Sequence, residues 1–235
     1  MKTILYILVL LISGTALAEE NPVRIAMLEN IAETPACQAV MREAYRRIDT
    51  AVEFRIFSAS EALENSNAGH VDAELQRIDG ISDKYKNLLQ VPIPIYLIRA
   101  VAFSTKYRFP VSGWHSLRPY KIGIVKGIVF ASQNTADMNV QEYDSYADLV
   151  DALADESIDV AVMPRLQGLE ARYSRRDLEM TEMEGVLETL FLYHYVHTSR
   201  ADLVSRLTPV LKDMLLSGET RRIGQSFLAD MADQP

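Results

Sequence analysis

The sequence predicts an α/β fold built on a mostly parallel sheet, and two stretches of the chain carry this prediction. In residues 120–165, short β-branched runs alternate with helical periods of about a dozen residues, which is typical of βαβ units. Its predicted elements are a strand at 121–125, a turn at Gly127, a helix at 128–136, a strand at 139–143, a helix at 145–157 and a strand at 158–164. Residues 23–57 repeat the rhythm with a strand at 23–28, a helix at 35–48 and a strand at 52–57.

The turns at the carboxyl ends of these strands are the first places to expect a ligand. In parallel sheets, ligands bind beyond the carboxyl ends of the strands, where helix N-termini present free backbone N–H groups. The turn at Gly127 and the bend after Met163 both have this position in the sequence.

Residues 1–18 have the three regions of a secretory signal peptide. Lys2 gives a charged start, residues 4–12 form an apolar run, and Ala16-Leu17-Ala18 is a small-residue cleavage site. The apolar run is short for a membrane span, although an uncleaved anchor is the alternative. No cysteine follows closely, which argues against a lipid anchor. We therefore expect cleavage after Ala18 and a periplasmic protein.

Charge and cysteine content exclude several classes of partner and bond. The chain has 235 residues and a formal net charge of −8, which argues against nucleic acid or an anionic membrane surface as a partner. Cys37 is the only cysteine, so an internal disulfide is excluded. Its place on the apolar side of a predicted helix indicates a small core residue.

Catalytic, cofactor and metal motifs are missing from the sequence. There is no nucleophile elbow, Walker loop, paired-cysteine zinc pattern or G-x-G-x-x-G fingerprint. His194 and His197, spaced three apart on a predicted strand, point to opposite faces, which favours structural roles over one metal site. We expect neither a cofactor nor a metal, and no catalysis.

Two longer extended runs, at 88–101 and 187–196, are predicted to cross between two parts of the molecule. Pro92 and Pro94 argue against a central strand in the first run, and they are tolerated where one edge is free of ladder bonds. The other predicted elements are a helix from the Ser58–Glu61 capping box to near Gly69, a strand at 71–74, a turn at 114–117, a helix at 165–173, a strand at 178–181, and helices at 200–207, 209–216 and 220–231.

Several phrases in this order carry a family resemblance. They are GHVDA at 69–73, VPIP at 91–94, SLRPYKIGIVKG at 116–127, LVDAL at 149–153 with IDVAV at 158–162, and LKDMLLSG at 211–218. Together they span nearly the whole chain after residue 18. The chain resembles extracellular solute-binding proteins of family 3, the periplasmic receptors of amino-acid-type ABC transporters.

The resemblance implies a two-lobed periplasmic-binding-protein-like (type II) fold with two crossover strands, which closes over a ligand by a hinge motion. Lobe one is then residues 19–97 plus 195–235, and the inserted lobe two is residues 98–194.

The resemblance also implies a set of ligand contacts. Arg77 matches the arginine that grips the ligand carboxylate, although a solvated loop arginine is the alternative. The family's hydroxyl-bearing turn is replaced here by Gly127-Ile128-Val129, whose N–H groups can still receive an anion. Pro164-Arg165 stands where an acidic residue holds the ligand amino group, so binding of an ordinary α-amino acid is in question and Arg165 favours an acidic ligand.

Four further residues are candidates by position. Glu29 and Asn30 follow the first strand at the cleft edge, or are ordinary loop residues. Tyr96 and Phe130 supply an apolar wall to the ligand, or belong to the core.

We therefore expect a monomeric receptor that captures a small polar, carboxylate-bearing solute for an ABC permease. The first alternative is a sensor or interaction module with a membrane partner, marked by an exposed apolar patch outside the cleft. The second is a lyase or dehydratase-type enzyme, marked by a cleft carboxylate without a ligand charge to pair with.

Overall fold

The fold is that of a computed structural model, which describes residues 21–232 and the side chains through residue 226. The helices are α1 (Thr34–Arg47), α2 (Ala59–Ala68), α3 (Val129–Asn134), α4 (Tyr146–Ala154), α5 (Arg165–Ser174), α6 (Asp202–Leu216) and α7 (Glu219–Ala232). The strands are β1 (Val23–Leu28), β2 (Val52–Phe57), β3 (Ala73–Ile78), β4 (Leu88–Ser104), β5 (Ile122–Val125), β6 (Val140–Tyr143), β7 (Val160–Pro164), β8 (Thr181–Glu182) and β9 (Glu188–His197).

The strands of the described chain join one mixed sheet in the order β2-β1-β3-β9-β4-β7-β5-β6, with β8 paired to β4. The long strands β4 and β9 run antiparallel in its middle. Parallel pairs flank them, β1 with β2 and β3 on the β1 side, and β5 with β6 and β7 on the β5 side. We assign α1 and α2 to the β1 side, and α3, α4 and α5 to the β5 side. This is the two-lobed α/β architecture that the sequence predicts, while the residue limits of each lobe stay a prediction.

The crossing strand β4 accommodates its two prolines by pairing on one edge. Pro94 pairs with Tyr193 of β9, and Pro92 lies in the register shift between Gln90 and Pro94. Pairing of β4 with β7 begins only at Ala100. The expectation that the prolines exclude a central strand is therefore wrong for the strand order. Its physical basis holds locally, because the missing N–H groups fall where a ladder edge is free.

Several local predictions are confirmed. Strands β1 and β2 have the predicted limits, and the Ser58–Glu61 capping box is present. Gly69 ends α2 in the left-handed conformation, with φ +77°. Cys37 is fully buried in the core, and burial raises the pKa of its thiol.

The predicted helix break at Thr208-Pro209 is wrong, because α6 runs through the proline. Its apolar face is continuous and buried through Leu203, Leu207, Leu211 and Met214. Each buried leucine contributes about 1.5–3 kcal/mol, which together outweighs the cost of about 3 kcal/mol for an internal proline.

The predicted signal peptide at residues 1–18 lies outside the described residues. Within residues 21–232, none of the helices combines the length and the apolar character that crossing a membrane requires.

Candidate functional site

A small cavity of ≈ 50 Å³ lies where the β1 side meets the β5 side. Leu28, Ile78 and Pro164, the last residues of β1, β3 and β7, line it. The cavity is therefore at the carboxyl ends of parallel strands, the place that the βαβ pattern predicts for a ligand. The crossing strands add aliphatic wall through Ile98 and Leu192.

Arg77 on β3 lines the cavity but is held by the protein itself. Its Nε donates to Glu74 Oε1 at 2.7 Å, its Nη2 to the carbonyl oxygen of Ala59 at 2.7 Å, and its Nη1 to the carbonyl oxygen of Gly127 at 3.2 Å. Both Arg77 and Glu74 are buried, and Ser66 Oγ donates to the second Glu74 oxygen at 2.9 Å. The alternative of a solvated loop arginine is thus wrong.

Gly127 brings the β5 side into backbone contact with the N-terminus of α2. Its φ is +76°, and a Cβ there would lie 2.6 Å from the backbone nitrogen of Ser60 and 2.7 Å from the carbonyl carbon of Ala59. Both the conformation and the space therefore require glycine. Val129 and Phe130, the first residues of the following helix, line the cavity. Whether they contact a ligand stays a prediction.

A second hydrogen bond joins the two sides near the end of β1. The backbone N–H of Ala32 donates to Gln167 Oε1 at 2.9 Å, and the Gln167 side chain is buried. Together with the Arg77 contact to Gly127, this bond holds the two sides against each other around the cavity.

Three buried polar atoms in the cavity wall have no hydrogen-bond partner among the described residues. They are Glu33 Oε2, Gln76 Oε1 and Tyr146 OH, which we call the acceptor trio. The three residues are 2%, 3% and 5% exposed. Burial raises the pKa of Glu33 to about 7, and the negative charge of Glu170 adds to the rise. Burial raises the pKa of the Tyr146 phenol well above its usual range, and the charge of Glu33 adds to the rise.

The other predicted ligand residues do not line this cavity. Glu29 and Asn30 are exposed in the turn after β1, and Asn30 has φ +51°. Arg165, the first residue of α5, is directed to Glu182 of β8, with its Nε 3.0 Å from Glu182 Oε2. Tyr96 lines a different cavity of ≈ 330 Å³ between β4, β9 and α7, together with Leu97, Phe191 and Leu215.

His194 belongs to a buried cluster in which the ring nitrogens are paired. The Tyr45 hydroxyl lies 2.9 Å from its Nε2, and the Leu75 carbonyl oxygen lies 3.2 Å from its Nδ1. Since a carbonyl only accepts, Nδ1 carries the proton and Tyr45 donates to Nε2. Burial lowers the pKa of His194 from 6.5 to about 4. We call these groups the histidine cluster; the structural role predicted for His194 agrees with this pairing.

His197 serves at the start of the 3-10 turn after β9, where its Nδ1 accepts from the backbone N–H of Ser199 at 3.2 Å. Within the described residues, there is no group of three or more His, Cys, Asp or Glu side chains placed to hold a metal ion.

Sequence reasoning missed the acceptor trio. Glu33 precedes α1 at the cleft edge, where the sequence drew attention to Glu29 and Asn30 instead. Gln76 is next to Arg77, and Tyr146 follows the Ser145 helix cap, so position alone was a usable signal. Their lack of partners depends on contacts between distant elements and has no local sequence signature.

No known protein family model matches the chain. An uncharacterised protein of Shewanella oneidensis is 22% identical over 204 residues, which cover 83% of this chain and 77% of that protein. This level of identity leaves the family assignment open.

Solved structures with the same architecture share little sequence with the chain. A histidine kinase sensor domain with similarity to periplasmic binding proteins has a TM-score of 0.74 at 18% identity, over 88% of this chain and 96% of that one. The GluR0 ligand-binding core in complex with L-glutamate has a TM-score of 0.75 at 9% identity, over 88% and 98%. The arginine-, lysine-, histidine-binding protein ArtJ from Geobacillus stearothermophilus has a TM-score of 0.71 at 10% identity, over 88% and 95%. These likenesses establish a two-lobed periplasmic-binding-protein-like fold for the chain.

Proposed function

We propose that the chain is a periplasmic receptor that captures a small polar, carboxylate-bearing solute between two lobes for an ABC-type transporter. The lobes are residues 19–97 plus 195–235 and residues 98–194, and export depends on the signal peptide at residues 1–18. The observation that carries the proposal is the cavity at the strand ends, which is lined from both the β1 side and the β5 side. A ligand in this position contacts both lobes and therefore stabilises their closure.

The volume of the cavity requires the two sides to separate before a solute enters. Ligand pockets typically have about 300–1,000 Å³, whereas this cavity has ≈ 50 Å³. Opening breaks the hydrogen bonds of Arg77 to Gly127 and of Ala32 to Gln167. Arg77 Nη1 is then free to donate to a carboxylate, which a guanidinium binds in its plane.

A thermal-shift screen of the purified protein against amino acids and dicarboxylates tests the proposal. A ligand present at a hundredfold its dissociation constant adds about 2.7 kcal/mol to the free energy of unfolding. The same screen on an Arg77→Met, Glu74→Met double variant asks whether the guanidinium is required, since removing both partners leaves no unpaired buried charge. No response to any solute at millimolar concentration would contradict the receptor function.

Coupling between closure and binding is tested by Gly127→Ala, with Gly80→Ala as the matched control. Both glycines have φ near +80°, but a Cβ at Gly80 meets nothing within 4 Å, whereas a Cβ at Gly127 meets the backbone at Ser60. We expect Gly127→Ala to increase the radius of gyration in small-angle scattering and to weaken solute binding. Equal behaviour of the two variants would show that closure at Gly127 does not matter for binding.

A sensor with a membrane partner is the second candidate, favoured by an apolar surface outside the cleft. Leu97, Phe191 and Leu215 beside the ≈ 330 Å³ cavity are 42%, 50% and 43% exposed, and such patches mark interaction sites. A pull-down from membranes with the wild type and with Phe191→Ser separates the candidates. Failure to recover a membrane protein with the wild type counts against the sensor.

Glu33 also meets the condition set for a lyase or dehydratase-type enzyme, because it is a cleft carboxylate without a partner. A buried carboxyl whose pKa is about 7 has the protonation behaviour of a general acid. The solutes that respond in the screen should therefore be checked for turnover. Turnover that survives Glu33→Gln would eliminate acid catalysis by this residue.

A further inference from the structure

The acceptor trio distinguishes one end of the cavity by its chemistry. Three buried side-chain atoms of cavity-lining residues have no hydrogen-bond partner within the described residues: Glu33 Oε2, Gln76 Oε1 and Tyr146 OH. Buried polar groups in folded proteins are nearly always paired. Three unpaired atoms in the wall of one cavity therefore indicate a common partner from outside the chain.

All three atoms can accept a hydrogen bond from a donor outside the chain. Gln76 Nε2 donates to Thr34 Oγ1 at 3.3 Å, which leaves the amide oxygen as the group without a partner. An ionised Glu33 only accepts, and a tyrosine hydroxyl both donates and accepts. The hydrogen bonds of Arg77 go to Glu74 and to two backbone carbonyl oxygens, and none joins it to the trio within the described residues.

The charge of the cavity wall also favours a donor, and one that is positively charged. Arg77 and Glu74 neutralise each other as an ion pair, so above about pH 7, where Glu33 is ionised, its carboxylate is the charge left over in the wall. A primary ammonium group carries one positive charge and three donors with no acceptor. It matches both the charge of Glu33 and the number of atoms in the trio, whereas a carboxylate would add acceptors to acceptors.

We propose that the cavity binds the ammonium group of a small amine-bearing solute, with Glu33, Gln76 and Tyr146 as its three acceptors. This inference rests on the proposed function, since it requires that the cleft opens to a solute. The aliphatic side chains of Leu28, Ile98 and Leu192 then cover the first carbon atoms of the ligand.

Ligand affinity then depends on pH through Glu33. Ammonium binds the ionised carboxylate, so binding weakens as the pH falls below about 7, the pKa that burial gives Glu33. The charged and titratable groups that face Glu33 come from its own helix and from four other elements: Cys37, Arg77, Tyr96, Tyr146 and Glu170. Burial raises the pKa of Tyr96 to about 12 and the pKa values of Cys37 and Tyr146 well above their usual range, so these three stay neutral where Glu33 titrates.

Matched probes with and without the amino group test the inference by calorimetric titration at pH 8. The probes are the amino acids of the thermal-shift screen, n-propylamine and putrescine, and the desamino acids propionate and succinate. We expect amine-bearing probes to bind and desamino probes of the same length not to bind. Binding of desamino acids without any amine would overturn the inference and leave the receptor function intact. Silence of every probe would overturn both.

Variants separate binding from folding. Glu33→Gln should weaken the amine probe by about 10- to 100-fold, since a charged hydrogen bond is lost, while the thermal midpoint without ligand at pH 8 rises. Glu170→Gln, which alters a neighbouring charge outside the cavity wall, is the matched control and should stay within about twofold. Unchanged amine affinity in Glu33→Gln would overturn the proposal, as would an equal loss in the control.

Discussion

The histidine cluster and the acceptor trio are both buried beside β3, but they differ in how their polar atoms are paired. In the first, both ring nitrogens of His194 have a partner, Tyr45 OH on one side and the Leu75 carbonyl oxygen on the other. In the second, Glu33 Oε2, Gln76 Oε1 and Tyr146 OH have none within the described residues. Leu75 and Gln76 are consecutive residues, so one strand contributes to both environments.

This difference separates structural from functional polar groups. A paired buried hydrogen bond contributes about 0.5–1.5 kcal/mol to stability, whereas an unpaired buried group costs about 1–3 kcal/mol. Polar groups that lower stability are expected where binding requires them. The contrast therefore predicts that variants in the histidine cluster destabilise the fold, and that variants in the acceptor trio weaken binding without destabilising it.

The largest effect is expected at Arg77, which lines the cavity but is paired like the histidine cluster. Arg77→Met leaves Glu74 buried without a counter-charge, and breaking such a pair costs about 3–5 kcal/mol. The Arg77→Met, Glu74→Met double variant should lose much less, because no unpaired charge remains. Urea denaturation at pH 7 measures both. A single variant that is as stable as the double would show that the ion pair does not hold the cleft wall together.

A second large effect is opposite pH dependence in the two clusters. Glu33 has its pKa raised from 4.5 to about 7, so the folded state holds a proton that the unfolded state has released; stability is present below pH 4.5 and is lost as the pH rises to about 7. His194 has its pKa lowered from 6.5 to about 4, so its stability is present above pH 6.5 and is lost as the pH falls to about 4. Each of the two contributions to the free energy of unfolding changes by about 3 kcal/mol. Between pH 4.5 and 6.5 their changes with pH have opposite sign and nearly cancel.

Glu33→Gln removes one of the two opposing contributions. We expect the variant to be more stable than the wild type by about 3 kcal/mol above pH 7 and equally stable below pH 4.5. Its stability should rise steeply between pH 4 and 6.5 because the contribution of His194 is no longer opposed. Thermal unfolding across this pH range measures the curve, and parallel curves for variant and wild type would refute the burial of a neutral Glu33.

The smallest effects come from two tyrosines that differ in pairing alone. Tyr45→Phe leaves Nε2 of His194 without a donor and should cost about 1–3 kcal/mol. Tyr146→Phe removes a hydroxyl that has no partner within the described residues, so we expect no loss of stability or a small gain. Chemical denaturation of the two variants side by side gives the comparison. A loss in Tyr146→Phe as large as in Tyr45→Phe would contradict the classification of the trio as unpaired.

Much of the fold could be predicted because the deciding signals are local. The limits of β1 and β2 follow from β-branched runs, and the start of α2 follows from the Ser58–Glu61 capping box. The helix through Pro209 could not be predicted in this way. Its continuity depends on how completely the face of Leu203, Leu207 and Leu211 is buried against other elements.

The candidate site likewise has features that the sequence predicts and features that depend on contacts between distant residues. Arg77 and Val129 were expected from the family resemblance and Phe130 from its position. All three line the cavity, as does Pro164. The hydrogen bonds of Arg77 to Ala59 and Gly127 could not be predicted, because they exist only when distant segments meet. Tyr96 and Arg165 were also predicted to face the ligand. In the structure, Tyr96 lines the other cavity and Arg165 binds Glu182.

The sequence by itself determined the alternation of strands and helices, the two crossing strands, and the edge of the sheet at which a ligand is expected. Hydrophobic periodicity, helix caps and glycine turns act over a few residues and are visible in a single sequence. Only the tertiary structure decided which polar groups are paired and which face a cavity. Burial and pairing depend on side chains brought together from β3, α1 and α4, and these contacts set whether Arg77 or Glu33 is the group that still lacks a partner.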